Sequence, residues 1–174
     1  MVPPKDLIIL LIIDKPNPIP LDLVVNLGSN IFNIISSSIP DPLSLILIIA
    51  CVVVCEYPSM KLKEQKVYTL HNPLPHRLWF EAYREMPAIV EAFNMLEEEP
   101  DILIIKGNGI LHPRKIGIAS HVGLILNKST IGISEKLLLG NVEKGNVLLE
   151  GDVVGFEITT REHAKPLYVS PGNL

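Results

Sequence analysis

Apolar residues in the first seventy positions occur in short runs separated by proline-containing turns. The runs cover residues 7–13, 34–39 and 45–55, and residues 61–70 show a looser alternation. Short runs that are rich in valine and isoleucine are typical of strands. With turns at residues 40–42 and 57–59, the runs from residue 34 onward predict an antiparallel meander.

After residue 80 the spacing of apolar residues becomes helical. Residues 80–96 predict a helix that ends at an acidic stretch, and residues 116–126 predict a second helix. Between them, residues 101–105 predict a strand that is wholly apolar after Asp101, which is typical of a strand covered on both faces. Residues 130–134 predict a further strand, and residues 147–169 a hairpin or two short strands. A meander followed by β-α-β predicts an α/β domain with a mixed sheet and helices on both faces.

The first thirty-three residues differ from this pattern. Pro16, Pro18 and Pro20 exclude regular structure around them. Residues 1–33 are therefore predicted to be an N-terminal arm or extension, and residues 34–174 a single globular unit. Within the arm, residues 7–13 are either an edge strand or a segment that pairs with a second chain in a homodimer.

Charge and cysteine content limit the functional classes. The net charge of −4 and the pI near 5.7 exclude a general electrostatic clamp on nucleic acid. However, thirteen of the fifteen lysine and arginine residues follow residue 60, so an anion site is expected there. No apolar run approaches the ~20 residues that span a bilayer, so no membrane segment is predicted. Cys51 and Cys55 are too far apart on one strand for a disulfide, which predicts reduced core thiols and a cytoplasmic location.

Residues 100–136 contain motifs in a characteristic order. These are Lys106-Gly107-Asn108-Gly109, His112-Pro113-Arg114 and Thr130-Ile131-Gly132-Ile133. The stretch resembles endonuclease V. Residues 83–89 resemble the Arg-Glu-x-Pro helix start of that family, residues 57–59 its turn after the second strand, and residues 166–173 its last catalytic strand. The resemblance covers roughly residues 34–174 and implies a ribonuclease H-like fold and magnesium-dependent cleavage of DNA or RNA near deoxyinosine or inosine.

The resemblance also implies four catalytic positions. The family has an Asp on the first strand, a Glu opening the helix, an Asp before Gly-x-Gly and a His near the end. In this chain the matching residues are Ser38, Glu85, Lys106 and Asn173, so Glu85 alone is retained as a metal ligand. Asp41 lies three residues after Ser38 and would replace the first Asp only after a register shift.

The replacement of Asp by Lys106 bears directly on metal binding. Magnesium prefers carboxylate and water oxygens. Two unit charges ~4 Å apart interact by about 4 kcal/mol at an effective dielectric near 20, so a protonated lysine opposes a divalent ion. The sequence therefore predicts that magnesium binds poorly and that Lys106 forms an ion pair with Glu85. Another interpretation is that Lys106 is a general base with a lowered pKa.

A second set of positions is predicted to contact nucleic acid. The Pro-Tyr-Ile-Pro wedge of the family, which separates the strands, appears here as Pro75-His76-Arg77-Leu78, and a family lysine appears as Glu135 with Lys136 beside it. The family's His-Pro-Arg supports the site and the substrate. The predicted contacts are His76, Arg77, His112, Arg114, Lys115 and Lys136.

Structural explanations remain open for several of these residues. Glu85 can have a purely structural role, in which its negative charge interacts favourably with the positive end of the helix dipole. His112 can be a loop histidine bonded to backbone, and His121 a core histidine. The histidines show none of the ligand spacings that are typical of a zinc site.

Three functions follow from these alternatives. The first is an endonuclease V-like protein with an eroded metal site, which keeps at most weak binding of DNA or RNA. The second is an active metal-dependent endonuclease that uses Glu85 with Asp41 or Asp14. The third is a non-catalytic interaction protein that dimerises through its N-terminal arm.

Overall fold

The computed structural model describes the backbone of residues 6–13 and 47 and all atoms of residues 48–174. The chain divides into two compact units, Met1–Ile102 and Leu103–Leu174. Ser38, the alternative ligands Asp14 and Asp41, the predicted strand at 34–39 and the predicted boundary at residue 33 lie outside the described residues.

The first unit contains three antiparallel strands in the order β3-β2-β1. They are β1 (Asp6–Ile13), β2 (Leu47–Glu56) and β3 (Lys61–His71). Strand β1 pairs with β2 of the same chain along its whole length, from Asp6 opposite Glu56 to Ile13 opposite Ile49. Residues 7–13 are therefore a strand, as the sequence predicts, and one of its edges is satisfied within the chain. A homodimer through this segment stays a prediction.

Helix α1 (Glu81–Asn94) packs on β2 and β3. Its buried face consists largely of small residues, including Ala88 and Ala92, which allow close approach to the buried valines of β2. Cys51 and Cys55 lie in this core as free, buried thiols. Burial raises the pKa of Cys51 to about 11 and also raises the pKa of Cys55. Both thiols are thus core residues, as predicted.

The second unit has strand order β4-β5-β9-β8-β7-β6. Its elements are β4 (Ile102–Lys106), α2 (Ile118–Leu126), β5 (Ser129–Ser134), β6 (Asn141–Glu143), β7 (Asn146–Leu149), β8 (Asp152–Ile158) and β9 (Leu167–Pro171). Helix α2 connects the neighbouring strands β4 and β5, which is the crossover that parallel strands require. The pairs β5–β9, β9–β8, β8–β7 and β7–β6 are antiparallel. The predicted β-α-β unit and mixed sheet are confirmed.

The end of the chain contains more strands than the sequence pattern suggests. A hairpin or two strands were expected at 147–169, whereas three strands, β7, β8 and β9, fall largely within that range and β6 precedes them. The turns at Lys144-Gly145 (φ 51° and 82°) and Glu150-Gly151 (φ 55° and 94°) account for the difference. Two successive positive φ angles are the requirement of a two-residue hairpin turn, so both X-Gly pairs join consecutive antiparallel strands.

Candidate functional site

Strand β4 ends at Lys106 and continues into a tightly packed loop. The N–H of Gly107 donates to the carbonyl of Ile133 at 2.7 Å, and the N–H of Gly109 donates to Oγ of the buried Ser170 at 2.9 Å. A Cβ atom on Gly109 would collide with the backbone of Pro171. Gly109 is therefore required for packing of the loop against β9, which gives this glycine a structural role.

Lys106 is the last residue of β4 and is half-buried. It immediately precedes this loop, so the amine occupies the strand end where the resemblance implies a carboxylate. Two residues later, Oδ1 of Asn108 is buried and has no hydrogen-bond partner within the described part of the chain. The end of β4 thus combines a cation with an acceptor oxygen.

The loop continues around His112, which is 7% exposed. Its Nδ1 accepts a hydrogen bond from the backbone N–H of Arg114 at 3.3 Å, and its carbonyl accepts one from the N–H of Lys115 at 2.7 Å. Both basic side chains are exposed, and Lys115 has a φ of 56°. This geometry agrees with the interpretation of His112 as a loop histidine bonded to backbone, and it places two adjacent cations at the surface.

Asn173 joins the end of the chain to helix α2. Its side-chain Nδ2 donates to the carbonyl of Gly123 at 3.3 Å and to that of Lys128 at 3.2 Å. Gly123 lies in the last turns of α2, and Lys128 lies between α2 and β5. Both donor hydrogens of the amide are therefore used to hold neighbouring backbone.

In the first unit, Glu85 is the fifth residue of α1. The resemblance implies a Glu near the helix start, but α1 begins at Glu81 and Pro87 lies inside it. The carboxylate of Glu81, in the first turn, accepts a hydrogen bond from the N–H of Trp79 at 3.2 Å. Since the effect of the helix dipole falls off within the first turn, Glu81 fits that role better than Glu85 does.

Arg84, which precedes Glu85, is 2% exposed. Its Nη1 donates a hydrogen bond to the carbonyl of Leu74, so the guanidinium fixes the segment that leads into α1. His76 and Arg77 are exposed on this segment, with Nε2 of His76 lying 3.9 Å from a carboxylate oxygen of Glu81. The sequence analysis did not predict that Arg84 anchors this segment. The available signal was a charged residue on the helix face that otherwise carries apolar residues.

The remaining predicted positions are divided between the two units. Lys106, His112, Arg114, Lys115, Lys136 and Asn173 belong to the second unit, whereas His76, Arg77 and Glu85 belong to the first. Lys136 is exposed after β5, and its carbonyl accepts a hydrogen bond from Oγ of Ser134 at 2.9 Å. His121 bonds through Nδ1 to the carbonyl of Gly117 at 3.1 Å, in keeping with a structural histidine. The ion pair of Lys106 with Glu85 stays a prediction.

Within the described residues, the positions that match the family site supply few of the oxygen ligands that magnesium prefers. Among residues 48–174 no group of three or more His, Cys, Asp or Glu side chains is placed to hold a metal ion. The matching positions that the structure describes offer one carboxylate on Glu85, an ammonium on Lys106 and the amide of Asn173, whose N–H groups are already used.

None of the helices in the described segments is long and apolar enough to cross a membrane.

The sequence model of endonuclease V matches residues 38–174. The chain belongs to the endonuclease V family. Endonuclease V of Rippkaea orientalis is 36% identical over 132 residues, which is 71% of this chain and 58% of that relative. Endonuclease V of Thermofilum pendens is 39% identical over 129 residues, which is 71% of this chain and 56% of that relative. The chain thus spans less than two thirds of the length of these relatives.

Solved structures of this endonuclease family have the same fold. Ciona intestinalis endonuclease V, solved in complex with a 24mer DNA containing an inosine followed by a ribo-adenosine, aligns with a TM-score of 0.71 at 22% identity. The alignment covers 98% of this chain and 72% of that one. The predicted mixed α/β, ribonuclease H-like fold is confirmed. Endonuclease V proteins are generally metal-dependent.

Proposed function

We propose that this chain is an endonuclease V-like protein in which metal-dependent hydrolysis is impaired and binding of DNA or RNA is retained. The observation that carries the proposal is Lys106, an ammonium at the end of β4 in place of a carboxylate ligand. Replacing an anionic ligand by a cation removes an attraction for a divalent ion and adds a repulsion of similar size, each of about 4 kcal/mol per unit charge at ~4 Å. Magnesium affinity then falls by orders of magnitude.

Asn173 supports the same proposal independently. At the position of the family's histidine, its amide holds the carbonyls of Gly123 and Lys128. An amide neither gains nor loses a proton near neutral pH, so Asn173 cannot exchange a proton there as a histidine can. The position therefore contributes to packing of the second unit instead of to hydrolysis.

Retained binding rests on the loop that follows β4. Arg114 and Lys115 are adjacent, exposed and held by backbone bonds to a buried histidine. These bonds fix the backbone that carries the two side chains, and exposed Arg and Lys side chains are common donors to phosphate oxygens. The DNA complex of the Ciona relative favours nucleic acid as the ligand. Lys136, His76 and Arg77 are further proposed contacts, and the cytoplasm is the proposed location.

A cleavage assay tests the proposed impairment. The purified chain is incubated with inosine-containing single strands and magnesium or manganese, beside Lys106→Asp and the double variant Lys106→Asp/Asn173→His. We expect no cleavage by the wild-type chain and metal binding, measured by calorimetry, only in variants that restore an acid. Metal-dependent cutting by the wild-type chain that disappears in Glu85→Gln would refute the proposal and favour the active enzyme that uses Glu85.

Binding is tested separately by filter retention over a range of salt concentrations. Wild-type retention should weaken as salt increases, because each phosphate contact releases counterions. Arg114→Gln/Lys115→Gln should reduce the slope of log affinity against log salt by about 1.4 for a single strand. The control is Lys144→Gln, an exposed lysine of the β6–β7 turn. If the wild-type chain shows no salt-dependent retention, the nucleic-acid role is wrong.

A further inference from the structure

The connection between β8 and β9 carries a second group of basic residues. Arg161, His163 and Lys165 are all exposed, and Glu162 is the single acid among them. The N–H of Ala164 donates to the carbonyl of Arg161 at 3.1 Å, which closes a turn in the middle of the segment. We call residues 159–166 the basic hairpin loop. Arg161 and Lys165 thus flank a backbone turn at the surface, and Nε2 of His163 lies 3.6 Å from a carboxylate oxygen of Glu162.

An exposed apolar strip leads directly into this loop. Phe156 is 51% exposed and Ile158 is 45% exposed. They lie two residues apart on β8, so they share one face of the sheet. On β9 they pair with Val169 and Leu167, which extend the same face because antiparallel partners point to the same side. An exposed aromatic ring therefore stands on the strand that ends at the basic hairpin loop.

Charge is distributed unevenly along the chain. Residues 103–174 contain eight lysine and arginine residues against six aspartate and glutamate residues, whereas residues 1–102 contain seven against thirteen. The aromatic and basic side chains of the β8–β9 hairpin thus belong to the unit with net positive charge. Along β8 the hairpin also carries Asp152 and Glu157, so the charge that complements a polyanion is confined to Arg161 and Lys165 of the basic hairpin loop.

We propose that the β8–β9 hairpin is a second contact for nucleic acid and that it takes a single strand. Phe156 stacks on a base, while Arg161 and Lys165 contact the flanking phosphates. An exposed ring beside cations is the combination that binds single strands without sequence preference, since every base has a π-face. This inference rests on the proposed function only in requiring that the chain binds nucleic acid, and it uses none of the residues assigned above.

Fluorescence anisotropy with a labelled single-stranded oligonucleotide tests the inference in the full chain. Arg161→Gln/Lys165→Gln should lower the slope of log affinity against log salt by about 1.4. Phe156→Leu, which keeps apolar cover over Val169, should weaken binding about tenfold and leave the slope unchanged. The matched control, Lys61→Gln/Lys63→Gln, removes two charges from exposed lysines of β3 and should change neither quantity. Circular dichroism checks that every variant is folded.

The outcomes separate this inference from the proposed function. Wild-type affinity in Arg161→Gln/Lys165→Gln, together with weakened binding in Arg114→Gln/Lys115→Gln, overturns the second contact alone. Absence of salt-dependent binding by the wild-type chain overturns both. If light scattering shows a dimer that is lost in Arg161→Gln/Lys165→Gln while oligonucleotide affinity stays unchanged, the hairpin docks a second copy of the chain and the inference is wrong.

Discussion

Asn173 and Thr130 exchange two hydrogen bonds. The backbone N–H of Asn173 donates to Oγ1 of Thr130 at 2.7 Å, and the backbone N–H of Thr130 donates to the carbonyl of Asn173 at 2.8 Å. Thr130 is fully buried, and its hydroxyl also donates to the carbonyl of Ala119 at 2.8 Å. These buried hydrogen bonds connect the end of the chain to β5 and α2. Removing either partner leaves the other buried group without a hydrogen bond, which lowers the stability of the fold.

Replacing Asn173 tests whether its amide supports the fold. Asn173→Ala should lower the free energy of unfolding by about 1–3 kcal/mol, because the amide donates two hydrogen bonds. Asn173→Asp should cost more at neutral pH, since a carboxylate cannot donate to the carbonyls of Gly123 and Lys128. Urea denaturation measures both. The control is Asn141→Ala on the exposed part of β6, and equal stability of Asn173→Ala and the control would contradict the assignment.

Arg84 should hold the segment between β3 and α1 in place. Arg84→Met keeps much of the buried volume but removes the hydrogen bond to the carbonyl of Leu74, so we expect a loss of about 1–3 kcal/mol. Residues 72–80 should also become more sensitive to protease under native conditions. The control is Arg77→Met at an exposed position of the same segment. Identical cleavage rates for the two variants would show that Arg84 does not anchor this segment.

Burial of Cys51 predicts a loss of stability at alkaline pH. The pKa of this thiol is raised from its ordinary value of 9.0 to about 11 because burial disfavours the thiolate. Below pH 9 the thiol of Cys51 is protonated in both the folded and the unfolded chain, so its full contribution to stability is present. Between pH 9 and 11 only the unfolded chain ionises, so stability decreases, in total by about 2–3 kcal/mol.

The measurement compares urea unfolding of the wild-type chain and Cys51→Ala at about pH 8 and 10.5. The stability difference between them should shrink as pH rises, and Cys55→Ala should show a change in the same direction, because burial also raises the pKa of Cys55. Parallel pH profiles for wild type and Cys51→Ala would rule out this origin of the alkaline sensitivity.

Gly109 should tolerate no side chain. A Cβ atom there would overlap the backbone of Pro171 and Gly172, which cannot move without disturbing β9. We expect Gly109→Ala to cost about 3 kcal/mol or more in thermal or urea unfolding. Gly151, by contrast, has a φ of 94° and nothing within 4 Å of its Cβ position. Gly151→Asn should cost below about 1 kcal/mol, because Asn adopts positive φ more readily than most residues.

The elements were largely predictable from apolar runs and spacing. Residues 80–96 show a helical period and form α1, and residues 61–70, which alternate more loosely, form β3, with boundaries shifted by one or two residues. The β6–β7–β8 turns were missed because apolar runs of three or four residues carry no period. The two X-Gly pairs were the available signal, since glycine readily adopts the positive φ that such turns need.

For the candidate site, the sequence predicts positions but not contacts. The order of the flanking motifs predicts that Lys106 and Asn173 replace catalytic residues, and this assignment stays a prediction. It did not show that the amide of Asn173 holds Gly123 and Lys128, since those partners lie 50 and 45 residues away along the chain. Nor did it show that Arg84 is buried, because a charged side chain in a helix is usually solvated.

The hairpins between β6 and β8 pair residues close in sequence, whereas β5 meets β9 across a much longer stretch, with Ile131 opposite Pro171. Closing a long loop costs more entropy than closing a short one, and two-residue turns close first. The β6–β7–β8 hairpins should therefore form early in folding, and the pairing of β5 with β9 should form late. Mutations at the 144–145 turn would then slow refolding, whereas those at Thr130 would mainly accelerate unfolding.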